Sequence, residues 1–231
     1  METLLYLIEI IGIISFAAAG AMVAIDKETD LFGVVILSCV TCFGGGLTRD
    51  IILTDRFPVF FSMHLELVIC VATALAIFLA AAILKNEYVA EEETVNKINN
   101  VLDALGIGVF AAAGTAMFMS HGPLVAIFAG TVTSVGGGLL RDIMLRDVPF
   151  ILRKRVYAVA VMIGSAFYYV FEKYVFAGIE GGDVFSTLIC LGVVFVIRMC
   201  ATHFRWHMPK AIRFSEIRER SDTDKRTSDK V

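Results

Sequence analysis

The sequence predicts an all-α integral membrane protein. It should have seven transmembrane helices, arranged as two inverted three-helix repeats plus a seventh, with helices 2 and 5 kinked at triple glycines. Three observations predict this. The chain is 58% hydrophobic and only 19% charged, where a soluble domain has roughly 45–50% and 25%. Apolar runs of about 20 residues recur, each long enough to cross a hydrocarbon core roughly 30 Å thick. Two stretches read nearly alike, VTCFGGGLTRDI at 40–51 and VTSVGGGLLRDI at 132–143, identical at nine of twelve positions.

The runs place spans at about 4–25, 32–54, 63–84, 101–119, 122–145, 156–176 and 184–204. The first is no signal peptide: it lacks a basic leader, its apolar stretch is too long, and its sequence recurs. Fifteen of the twenty Lys and Arg fall on one side of the alternating spans, from Lys27, Lys85 and Lys97 to the tail. Only Arg56 and Lys173 fall opposite. The positive-inside rule then makes the crowded side cytoplasmic and puts the amino terminus outside.

The glycine segments belong to a longer repeat. Glu9 to Gly20 (EIIGIISFAAAG) matches Asp103 to Gly114 (DALGIGVFAAAG), and Pro58 matches Pro149. The organisation is repeat 1 at 1–84, a cytoplasmic connector at 85–100, repeat 2 at 101–176, the seventh helix at 177–205 and a charged, partly disordered tail at 206–231. Three spans is an odd number, so the second copy must enter the bilayer upside down. Repeats of this kind place a substrate or ion path at their interface.

Gly44, Gly45, Gly46 and Gly136, Gly137, Gly138 sit in mid-span, where each glycine is roughly 1 kcal/mol worse than alanine for a helix. Small residues do allow close helix approach. A kink or break that turns backbone groups toward a cavity is the better account of three in a row. Thr41, Thr133 and Ser134, with Ser38 and Thr48, are the hydroxyls available to a permeant ion or to freed backbone.

Arg49–Asp50 and Arg141–Asp142 are ionisable dyads inside spans, where such groups face a bundle interior or water. Neighbouring helical residues point about 100° apart, so each Asp is expected to find its partner on another helix. The dyads serve as a gate or as structural salt bridges. Glu9 and Asp103, paired by the repeat, read first as helix amino-terminal caps and second as cation-attracting mouth residues. Phe16 and Phe110 are candidates for a hydrophobic constriction. The five cysteines are packing residues, while His203, His207 and Trp206 read as interfacial. No Walker motif, nucleophile elbow or metal-ligand cluster occurs, so no catalysis and no cofactor are expected.

Two three-span inverted repeats, a seventh span, FAAAG in spans 1 and 4, and GGGLxRDI in spans 2 and 5 resemble the prokaryotic branch of the trimeric intracellular cation (TRIC) channels. The resemblance implies a homotrimer in the cell membrane, with a pore in each subunit that passes potassium or sodium ions. Its other partners are membrane lipids; nucleic acid is not among them. The same bacterial family is similar to proteins assigned as glycine transporters, which keeps a small neutral amino-acid transporter as the alternative.

Overall fold

The computed structural model describes residues 2–153, 156–204 and 206. The elements are α1 (Glu2–Asp26), α2 (Leu31–Leu53), α3 (His64–Ile83), α4 (Lys85–Ala90), α5 (Glu92–Met117), α6 (Pro123–Met144), α7 (Phe150–Arg153), α8 (Val156–Val170) and α9 (Gly182–His203). A π-helical turn, Phe171–Val175, extends α8. Seven of these helices, with that extension, are long and apolar enough to cross a membrane. No strand occurs among the described residues. The tail, with Arg205 and His207, lies outside them.

Local chemistry sets the boundaries. The Asp30 side chain caps α2 by accepting the Gly33 amide at 2.8 Å, which satisfies one of the four orphan donors of a helix start. α6 starts with Pro123 directly after Gly122, whose φ of 91° suits a residue without Cβ.

The two halves interlock through antiparallel pairs. α2 crosses α6 at the centre, and α1 packs against α5 beside them. The chain thus forms spans α1–α2–α3 and their inverted copy α5–α6–α8. The unpaired helix, α9, packs on α5 and α8, so it covers the second repeat only. On α1, Leu4, Leu7, Ile11 and Ile14 stay exposed. α3 is the least enclosed long helix, with only Cys70 and Ala74 buried.

Three expectations need correction. The connector is not a loop: 85–100 forms α4 and the first turns of α5, because its Glu, Lys and Ala residues favour helix once the following apolar span nucleates it. Glu9 and Asp103 cap nothing, since both lie inside continuous helices. Lastly, α2 and α6 run as uninterrupted α-helix through both glycine triplets. The kink at each triplet is therefore made within continuous helix and not by a break.

Candidate functional site

Close approach, and not helix breakage, explains the glycines. A Cβ on Gly45 would collide with the Thr133 carbonyl, and one on Gly137 with the Thr41 carbonyl, so the contact obeys the repeat symmetry. Gly136 would meet the Gly45 Cα at 2.9 Å. The middle glycines therefore set the backbone separation of α2 and α6. The last glycine of each triplet plays a different part. A Cβ on Gly46 would meet only the Arg49 guanidinium, at 3.9 Å. At Gly138 the nearest atoms are the Tyr157 hydroxyl at 3.6 Å and the Arg141 guanidinium at 3.8 Å. Those two glycines leave room for the arginine one turn later.

The hydroxyls near the triplets mostly bond their own helices. Thr41 donates to Leu37, Ser38 to Val34, Thr48 to Gly44, Thr133 to Ala129 and Ser134 to Thr131. They satisfy local carbonyls, and Thr41, Thr133 and Ser134 line neither cavity described below.

The arginines do not reach across to carboxylates of other helices; each folds back on its neighbour. Arg49 donates from Nε at 2.8 Å and Nη2 at 2.6 Å to one Asp50 oxygen, and Arg141 does the same to Asp142 at 3.0 and 2.8 Å. The long guanidinium arm bridges the angular offset that separates the two Cβ atoms. Asp50 then spends its second oxygen on the Val59 amide at 3.0 Å, which fixes the 3₁₀ turn Val59–Ser62. Arg49 also donates to the Thr133 hydroxyl at 3.3 Å, tying one repeat to the other. All four dyad residues are buried.

Two cavities flank this centre. The larger, about 480 Å³, is lined by Glu9, Gly46, Arg49, Asp50, Phe60 and Phe110 among others. The smaller, about 50 Å³, is lined by Val23, Asn99, Asn100, Asp103 and Arg141. They are repeat equivalents: Glu9 matches Asp103, Arg49 matches Arg141, and Met117 of the first matches Val23 of the second. Along α1 and α5, Phe16 and Phe110 lie between the two. Their rings stack at 5.1 Å between centroids, and both are buried. The site is thus a larger chamber, a stacked aromatic pair and a much smaller second chamber.

The acids at the two chambers differ. Glu9 has no hydrogen bond or ion pair among the described residues, and Glu66 lies close enough to repel it. Asp103 accepts the Tyr157 hydroxyl at 3.2 Å and the Arg198 guanidinium at 3.0 Å, and Arg198 stacks over the Tyr157 ring at 4.4 Å. Sequence reasoning assigned neither Tyr157 nor Arg198 a role. Arg198 carried a usable signal, a lone charge within an apolar span; Tyr157 carried none. On α2 and α3, Cys70 lies 3.5 Å from Cys42 and 3.9 Å from Cys39, sulfur to sulfur, and all five cysteines are free thiols.

A duplicated, inverted bundle with paired chambers around a buried charged centre defines a multi-pass membrane protein of the inverted-repeat type. A family model described as "Glycine transporter" matches it twice, at residues 6–82 and again at 100–173, one match per repeat. The chain is 34% identical over 212 residues to the UPF0126 inner membrane protein YadS of Escherichia coli (strain K12), covering 89% of this chain and 94% of that one. It is 31% identical over 206 residues to the UPF0126 membrane protein YvgT of Bacillus subtilis (strain 168), covering 88% and 94%. Among solved structures it is similar to a prokaryotic TRIC channel crystallised in 0.5 M KCl, with 25% identity, a TM-score of 0.76, and 90% and 100% coverage. It is also similar to the TRIC trimeric intracellular cation channel orthologue from Rhodobacter sphaeroides, with 28% identity, a TM-score of 0.75, and 88% and 100% coverage. The chain belongs to this family, in its prokaryotic TRIC branch.

Proposed function

We propose that the chain is a passive channel for small monovalent cations, potassium foremost, whose path runs between the two repeats. The observation that carries this reading is the pair of repeat-equivalent chambers, each with an acid at Glu9 or Asp103, meeting at the Phe16–Phe110 plug. Each arginine on the path is neutralised by its own aspartate, which lowers the barrier a bare guanidinium would raise against a cation. The similarity to solved TRIC cation channels supports it. The Asp103 chamber has about a tenth of the volume of the Glu9 chamber, so conduction requires the second chamber to widen. With the amino terminus outside, as the charge bias indicates, the Glu9 chamber faces out of the cell.

The exposed stripe of Leu4, Leu7, Ile11 and Ile14 on α1 supports self-association. A neighbouring subunit in a homotrimer would cover this stripe. Lipid would cover the remaining apolar surface.

One observation favours a second reading, a transporter for a small zwitterion such as glycine. Glu9 and Arg49 present opposite charges to one chamber, a pairing suited to an ammonium and a carboxylate. The two readings part in planar bilayers. A conducting path gives unitary currents that reverse near the potassium equilibrium potential under a KCl gradient. Saturable glycine uptake without unitary current would overturn the channel reading.

A further inference from the structure

The repeat pairs an acid in each chamber, Glu9 with Asp103, and one unpaired helix makes the charge around them unequal. α9 has no counterpart in the first repeat, and it brings one charge into the bundle, Arg198, which is almost fully buried. That charge goes to Asp103, the repeat equivalent of Glu9, through the 3.0 Å bond already described. The Tyr157 hydroxyl takes the other carboxylate oxygen. Tyr157 itself stands where the first repeat has Glu66, counting from the matched prolines Pro58 and Pro149. Both dyads are neutral, so they cancel from the comparison. Among the described residues, the Glu9 chamber therefore keeps an uncompensated carboxylate with a second one nearby. At the Asp103 chamber, the acid is matched by a guanidinium.

We infer that Arg198 is a specificity-determining residue: it cancels the acid of one mouth and so makes conduction through the symmetric fold directional. The inference rests on the channel reading and adds to it which residue sets the charge difference between the mouths. Cations gather at the Glu9 mouth and not at the Asp103 mouth, so unitary current is larger when they enter from the former. One elementary charge about 7 Å from a path through water changes local cation occupancy about threefold. Changing one charge at Asp103 or Arg198 should shift the ratio of unitary currents at opposite voltages by about that factor.

The test is unitary current at matched positive and negative voltages in symmetrical KCl, with the full chain reconstituted in planar bilayers. Arg198→Gln frees a negative charge, and the ratio should fall about threefold toward one. Asp103→Asn frees a positive charge and should raise the ratio by a similar factor; it supplies the answer if Arg198→Gln does not fold. Arg198→Lys should restore the original ratio. The double variant Asp103→Asn with Arg198→Gln should restore it too, although the bond is gone, which separates charge from packing. Single variants that conduct with the unaltered ratio would overturn the inference while leaving the channel reading intact. Absence of any unitary current from the unaltered protein would overturn the channel reading itself.

Discussion

Replacing the glycines one at a time gives the sharpest check on what they do. A Cβ at Gly45 or Gly137 runs into a carbonyl of the facing helix. Backbone cannot rotate aside, so α2 and α6 would have to part by on the order of 1 Å to reach an ordinary contact near 3.5 Å. A gap of that size forfeits a quarter to a half of the attraction along a contact, and overpacking of cores costs about 1–3 kcal/mol even where side chains can yield. Gly45→Ala and Gly137→Ala should therefore each destabilise by about 3 kcal/mol. Gly46→Ala has only a guanidinium at 3.9 Å to meet, and gains helix propensity of roughly 1 kcal/mol. The assay is thermal unfolding of purified variants in one detergent. At about 2–4 °C per kcal/mol for a chain of this size, the middle-glycine variants should melt about 6–12 °C below the unaltered protein and about 8–16 °C below Gly46→Ala. Equal melting of all three variants would refute the contact as the reason for the triplets.

Asp50→Asn leaves the buried Arg49 without its counter-charge, a loss of about 3–5 kcal/mol, so a melting temperature well below that of Glu9→Gln is expected. Glu9→Gln breaks no bond seen in the structure and should melt normally, with unitary cation current reduced about threefold by loss of the mouth charge. Lys27 and Asp147 pair at 2.6 Å on the side of the smaller chamber, but both are about two-fifths exposed; Lys27→Ala should cost no more than about 0.5 kcal/mol in chemical unfolding. Phe110→Ala removes half of the stacked plug and should raise unitary conductance, at an expected 3–5 kcal/mol of stability.

Much of this was legible in the chain. Seven apolar runs, a repeat three spans long and the match of Glu9 with Asp103 led directly to inverted halves, and the chambers pair those same residues. What escaped depended on side-chain reach and on the facing helix. That Arg49 folds onto Asp50 follows from the length of the guanidinium arm, which a helical wheel of Cβ directions ignores. The glycine triplets were read as a kink or break facing a cavity, with close helix approach ranked second. The deciding fact, a Thr133 carbonyl lying against Gly45, belongs to another helix 88 residues away in sequence. Arg198 was visible as a charge in a span, but its partner could be found only once α9 was seen packing on the second repeat. The helical connector was missed because its polar composition was read as loop, although Glu, Lys and Ala residues continue a helix readily when an apolar span follows.

The central claim is that cations pass between the repeats through the Glu9 chamber. Gly46 lines that chamber and has open space where a side chain would begin, so Gly46→Trp should fill it without disturbing the α2–α6 contact. Unitary current in planar bilayers should vanish from a Gly46→Trp protein that melts like the unaltered one. Undiminished current from that well-folded variant would place the path elsewhere and contradict the account.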